Sequence, residues 1–214
     1  MFNSKKENLN QIAIFTIAIL LVLATIINVS LAYFTDSASS GGASGEIKFG
    51  NIAIKVSVAG ENYVVENGQV KFTLTADEVT QSEVYRTIVV ENAEGKQTED
   101  FAMRITPSSN LADKIKGNIS STKTIDNSQD LISANWSEST DSKSYYFNQF
   151  IHLPEGAKVY IPVVIKLDNL SADDFAQSLF VTFTIDVIQA ANDAYKSWET
   201  IPSSLNITTI YTGV

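Results

Sequence analysis

Lys158-Val159-Tyr160-Ile161-Pro162-Val163-Val164-Ile165-Lys166-Leu167 is the stretch that decides the fold class. Val159, Ile161, Val163, Ile165 and Leu167 fall on one side of an extended chain, with Lys158, Tyr160, Pro162, Val164 and Lys166 on the other. A period of two is the pleat of a β-strand, and its apolar side belongs on a core. The same alternation returns at Leu179, Val181, Phe183, Ile185 and Val187, set between Phe180, Thr182, Thr184, Asp186 and Ile188. Pro162 cannot donate to a ladder, which predicts that its strand lies at an edge or meets a bulge there.

Shorter runs extend the pattern. Val70, Phe72 and Leu74 follow the turn signal Asn67-Gly68. Val84, Arg86, Ile88 and Val90 form a weaker run, and Phe101, Met103 and Ile105 follow the turn-like Glu94-Gly95-Lys96. Pro154-Glu155-Gly156 turns the chain into the strand from Lys158. Helical signal is thin. Asn110–Gly117 reads as two helical turns, with Asn110 as N-cap and Gly117 as stop, and Ser171–Phe175 as one turn under a Ser cap. Neither is long enough to cross over between parallel strands. The expected fold is therefore all-β: an antiparallel sandwich of jelly-roll or immunoglobulin-like kind with one or two short helices. Ser120–Ser144, rich in Ser, Thr, Asn and Asp, is expected to carry long loops.

Composition narrows the chemistry. The 214 residues contain no Cys and one His, which excludes disulfide staples, thiol chemistry and a multi-His metal site. With 24 acidic against 15 basic residues the net charge is −9, a poor match for nucleic acid. The charges are unevenly placed. Asn8–Thr35 carries none, and Ile12–Ile27 is apolar except for Thr16 and Thr25. Lys5 and Lys6 precede this run, and Ser30-Leu31-Ala32 ends it. A basic flank, an apolar stretch and a small residue at the end describe a secretory signal peptide, here an N-terminal hydrophobic helix cleaved between Ala32 and Tyr33. A retained membrane anchor is the alternative, because the run is close to the roughly 17–25 residues that a spanning helix needs. Cleavage removes Lys5, Lys6 and Glu7 and leaves 13 basic and 23 acidic residues, a net charge of −10.

Ser37–Gly45 has the composition of a flexible linker. Beyond it the strand parity slips. Ile47 and Phe49 share one face, whereas after Gly50-Asn51 the apolar set is Ile52, Ile54, Val56 and Val58. A slip of one residue moves side chains to the opposite face, so a bulge or a break in pairing is expected near Gly50-Asn51. Two readings of the preceding segment stand: a plain tail entering the first strand, or a mobile arm, 33–50, that adds as a strand to a neighbouring subunit.

Leu31-Ala32-Tyr33-Phe34-Thr35-Asp36, followed by the small-residue linker and Gly45-Glu46-Ile47-Lys48-Phe49-Gly50-Asn51-Ile52, resembles the start of the TasA/camelysin family, whose members are exported through the signal peptidase SipW. Thr87–Gly95 is similar to that family's strand ending in an Asn-containing turn, and Phe180–Ala190 to its late strand ending in a Gln- and Ala-containing signature. The order Ile188-Gln189-Ala190-Ala191 departs from the family pattern, and Trp198–Val214 does not align with it. The resemblance implies a jelly-roll subunit exported by a Gram-positive bacterium and assembled into extracellular biofilm-matrix fibres. In such fibres the N-terminal segment of one subunit completes the sheet of the next, which would assign assembly to Tyr33, Phe34, Ile47 and Phe49. A contact of this head-to-tail kind does not close on itself and builds filaments.

Camelysin carries a protease label, so catalysis has to be weighed. His152 lies at a strand end with no second His to share a metal, and no Gly-x-Ser-x-Gly elbow exists. Asp168-Asn169 with Asp173-Asp174 lacks the spacing of an EF-hand loop and reads as a solvated acidic turn. Trp136, Trp198 and Tyr145-Tyr146-Phe147 suit packing better than a carbohydrate-binding face. No catalytic, cofactor or metal residue is assigned, and no cofactor. The expected organisation is 1–32 signal peptide, 33–50 arm, 51–190 jelly-roll domain and 191–214 C-terminal tail with room for an extra strand. The expected function is a secreted structural subunit, not an enzyme, whose partners are further copies of itself, the signal peptidase during export, and other matrix proteins. The alternatives are a monomeric membrane-tethered surface binding domain and a camelysin-like extracellular protease.

Overall fold

The computed structural model describes residues 45–49, 52–59, 61–93, 99–122, 131–141 and 143–213. The expected signal helix and the turn signal Glu94-Gly95-Lys96 lie outside them. Among the described residues no helix is long and apolar enough to cross a membrane. The strands are β1 (Gly45–Phe49), β2 (Ile52–Ala59), β3 (Tyr63–Glu66), β4 (Gln69–Thr73), β5 (Glu83–Asn92), β6 (Phe101–Ser109), β7 (Ile115–Ile119), β8 (Trp136–Glu138), β9 (Tyr145–Phe147), β10 (Phe150–His152), β11 (Lys158–Leu167), β12 (Phe180–Gln189) and β13 (Ile210–Thr212).

They form two sheets in an open, sandwich-like arrangement that is almost entirely antiparallel. The first sheet has the order β1-β2-β5-β11-β7. The second runs β13-β10-β6-β12-β4-β3, with β9 also paired to β6 and β8 paired to β9. Alternation explains the core. Ile52, Ile54 and Val56 of β2, Ile88 and Val90 of β5, and Val159, Ile161, Val163 and Ile165 of β11 are fully buried from the first sheet. Val70 and Phe72 of β4, Phe101, Met103 and Ile105 of β6, and Val181 and Phe183 of β12 are fully buried from the second. Phe72 and Phe183 meet edge to face, with ring centres 5.9 Å apart. Between β3 and β4, Asn67 (φ 50°) and Gly68 (φ 73°) are both left-handed, as the tight hairpin turn predicted from Asn-Gly requires.

Two local expectations are overturned. The strand carrying Pro162 is not at an edge, because β11 pairs with β5 on one side and β7 on the other. Proline is tolerated because β7 runs out beside it: Ile119 stands opposite Val163, and the Pro162 carbonyl takes the Ser120 N–H at 2.8 Å. In an antiparallel strand a residue's N and O point the same way, so the missing donor would face the Ser120 carbonyl, which takes the Ser133 N–H at 2.8 Å instead. Asn110–Gly117 is not a two-turn helix. One turn forms, with Ile115 N–H bonded to the Leu111 carbonyl at 2.7 Å, and the chain then enters β7. Two helical turns are too short to hold themselves, whereas β7 buries Ile115 and Ile119 and pairs its backbone with β11. Asn110 caps a strand entry instead: its side chain donates to the Ser178 carbonyl and accepts the Phe180 N–H, each at 3.0 Å. The single turn expected over Ser171–Phe175 is present. Residues Ala172–Ala176 form a short 3-10 helix whose Asp174 carboxylate accepts from the Ser171 N–H and hydroxyl.

Ser120–Ser144 is not all loop, since it contains β8, where buried Trp136 donates its indole N–H to the Leu131 carbonyl at 2.8 Å. A second, smaller core lies on the outer face of the second sheet. There Ala102 and Ile188, directly opposed in β6 and β12, are covered by Tyr195 and Ile207 of the C-terminal segment.

Candidate assembly edge

Among the described residues β1 is the outermost strand of the first sheet and pairs only with β2. Its register is Gly45–Val56, Glu46–Lys55, Ile47–Ile54, Lys48–Ala53 and Phe49–Ile52. Directly opposed residues of an antiparallel pair share a face. Positions 47 and 49 therefore belong to the face on which Ile54 and Ile52 are fully buried. The parity slip seen in the sequence falls between β1 and β2, where Phe49 is paired with Ile52, so it separates two strands rather than bending one.

The opposite face carries a row of alternating charge that crosses four strands. Glu46 stands opposite Lys55, Lys55 opposite Glu91, and Glu91 opposite Lys158. Glu91 accepts from Lys55 at 2.9 Å and from Lys158 at 2.7 Å. Burial pushes the Glu91 pKa up, but the hydrogen bonds and charges of Lys158 and Lys55 outweigh it and hold the carboxyl below its ordinary value. Lys158 is correspondingly raised by its bond to Glu91. A one-residue slip would set Lys55 opposite Gly45 or Ile47 and Glu91 opposite Ile54 or Val56, breaking the charge pairing, so this row favours the register that also places positions 47 and 49 on the face of Ile54 and Ile52.

Of the residues expected to act in export and assembly, Ala32, Tyr33 and Phe34 lie outside the described residues, while Ile47 and Phe49 are both in β1. His152, at the end of β10, bonds Asp100 through Nδ1 at 2.7 Å. Asp174 is held by the Lys114 ammonium at 2.7 Å, and that bond with those from Ser171 lowers its pKa to about 2. Among the described residues no group of three His, Asp or Glu side chains converges as a metal site would. The aromatics pack. Tyr146 and Phe147 are fully buried, Trp136 lies against Phe147 at 5.3 Å, and Trp198 lies against Tyr146 at 5.7 Å.

A second edge was not singled out by residue in the sequence. The C-terminal β13 adds to β10 in parallel, with Phe150 beside Ile210, Ile151 beside Tyr211 and His152 beside Thr212. The signal was the β-branched and aromatic run Ile207-Thr208-Thr209-Ile210-Tyr211-Thr212. Comparison with protein-family models, with curated proteins and with solved structures found no match.

Proposed function

We propose that this chain is a secreted structural subunit of jelly-roll type that polymerises into extracellular fibres, the segment around β1 of one copy completing the sheet of the next. The observation that supports this reading most directly is β1 itself. It is a five-residue outermost strand, drawn from the segment that follows the Ser/Gly linker, and its register sets Ile47 and Phe49 over fully buried Ile54 and Ile52. The same backbone pairing is available from an identical strand of a neighbour. Export would free this segment at Ala32–Tyr33. Chain starting at Tyr33 should form filaments visible by electron microscopy, and deletion of Tyr33–Phe49 should leave soluble monomers. Equal polymerisation by the truncated chain would defeat the strand-exchange mechanism.

The pairing of β1 with β2 of its own chain favours a second reading, a monomeric surface domain tethered by an uncleaved N-terminus. N-terminal sequencing of the protein recovered from cells separates the two. Protein beginning at Tyr33 supports the fibre subunit, and retention of residues 1–32 supports the tethered domain.

A further inference from the structure

The C-terminal segment lies across the second sheet as a strap. Its near end is firmly seated: Tyr195 is fully buried, Trp198 lies tilted against Tyr146 with the Arg104 guanidinium over its ring, and Tyr146 donates its hydroxyl to the Glu199 carbonyl at 2.7 Å. Its far end is β13. Phe150 N–H bonds the Thr209 carbonyl at 2.9 Å, Gly213 N–H bonds the His152 carbonyl at 3.0 Å, and Tyr211 meets Phe147 edge to face at 5.8 Å. Between them, residues 201–206 carry no regular structure beyond the turn closed by Leu205 N–H on the Pro202 carbonyl.

Three features make the far end exchangeable. First, β13 is a three-residue parallel edge strand, the weaker kind of ladder, and Ile210 remains 55% exposed. Second, Thr200 holds φ at 62° between the 3-10 turn that carries Tyr195 and the irregular run in which Ile201, Leu205 and Ile207 pack on the smaller core. A β-branched residue in the left-handed region is strained. Its carbonyl is held there by the Thr140 N–H at 3.2 Å, which makes it the candidate hinge. Third, the acceptor is selective. A Cβ on residue 213 would stand 2.9 Å from the Lys158 carbonyl oxygen and 2.6 Å from Leu153 Cδ2, so the site admits glycine there.

We infer that the outer edge of β10 is a strand-binding surface, and that the partner it fits is the strap segment, residues 201–213, of a second copy, delivered by a hinge at Thr200. Every bond β13 makes is non-covalent and already satisfied within one chain, so the same set forms between two copies without a new interface being built. The exchange involves the C-terminal end of the chain and the second sheet, and it stands or falls separately from the N-terminal fibre reading.

The chain contains no Cys, so introduced pairs report unambiguously. His152 and Thr212 are directly paired, and neighbouring strands about 4.8 Å apart bring Cα atoms within disulfide range. Full-length His152→Cys chains and full-length Thr212→Cys chains, produced together and oxidised, should yield a 152–212 cross-link between copies, identified by peptide mass spectrometry. A single chain bearing both substitutions reports the unexchanged form by closing the link internally. Adding Thr200→Asn, a residue that accepts the left-handed conformation more readily, should lower the inter-copy fraction severalfold. Internal closure in the double variant without any 152–212 link in the mixed chains would overturn the exchange. Absence of both links would overturn the β10–β13 register on which it rests.

Discussion

Gly117→Ala is expected to destabilise the protein, and the reason separates the strand at 115–119 from the helix stop that local sequence suggests. A glycine ending a helix earns its place through a left-handed φ, but among the described residues only Gly68 and Gly156 have one. Gly117 is instead squeezed. A Cβ there would lie 2.7 Å from Phe183 Cζ and 3.0 Å from Pro107 Cβ. Carbon pairs settle at about 3.5–4.0 Å, so the Phe183 ring would have to retreat by nearly 1 Å. That ring is fully buried and braced edge-on by Phe72. Without the clash, Gly→Ala in a strand should gain about 0.5–1 kcal/mol of backbone entropy. Overpacking of a filled core costs about 1–3 kcal/mol, so the net expectation is a loss of about 1–2 kcal/mol. For a domain of this size that is a fall of about 2–8 °C in Tm. Urea unfolding of the wild type, Gly117→Ala, Phe183→Leu and the double variant gives the cycle. The alanine should cost at least about 1 kcal/mol less when the ring is gone. An unchanged or raised Tm for Gly117→Ala, or strict additivity, would refute the packing argument.

Pro162→Ala should cost less than about 1 kcal/mol, the rigidity term alone, because the Ser120 carbonyl facing its nitrogen already takes the Ser133 N–H; a loss several times larger would mean that its neighbours depend on the ring. Tyr195→Ala should cost about 3 kcal/mol or more, since it empties the centre of the smaller core and removes the hydroxyl that accepts the Ile207 N–H at 3.3 Å; limited proteolysis should then cut near Lys196 faster. Asp174 carries an acid-dependent contribution. Its folded pKa of about 2 lies below the ordinary carboxylate value, so the contribution is complete above the unfolded pKa and is lost as pH falls towards about 2. Asp174→Asn should flatten that part of the stability–pH curve, and an unchanged acid limb would count against the Lys114–Asp174 pair.

The long strands were legible because burial on one face leaves a period-two trace, and β11 and β12 carry it over ten residues each. The failures share a cause. Pro162 and Gly117 were read by local rules, proline as an edge marker and glycine as a helix stop, yet what decides both is where a neighbouring strand stops or how close an aromatic ring approaches. Arg86 shows the same limit. It interrupts the apolar run of β5 at an inward position, and it is tolerated because it pairs with Glu78. Glu78 is in turn held below its ordinary pKa, Thr75 and Arg86 outweighing the upward push of burial. At the assembly edge, the face shared by positions 47 and 49 was readable from alternation, while the strand that receives them, and the charge row that pins the register, were not. The strap was harder still, because a three-residue parallel strand has no periodicity to show.

Two sheets that do not close into a barrel leave edges that must be protected from stray pairing, and among the described residues these are β1 and β7 of the first sheet and β13, β3 and β8 of the branched second. Among the described residues, β7 and β3 are inner-sequence edges of five and four residues. β7 carries Lys116 at its exposed side, and β3 ends on exposed Glu66, both of which discourage a foreign strand. β8 ends on exposed Glu138, and the remaining edges are β1 and β13. Each of these two is short and pairs with a single neighbour, β1 with β2 and β13 with β10, so either can leave without breaking a second ladder. The two edges proposed to exchange, β1 and β13, thus lie on different sheets, while β7, β3 and β8 each carry an exposed charge. Both proposals draw on this division: the edges expected to trade partners are those whose removal leaves the buried alternation of β2, β5, β11, β4, β6 and β12 intact.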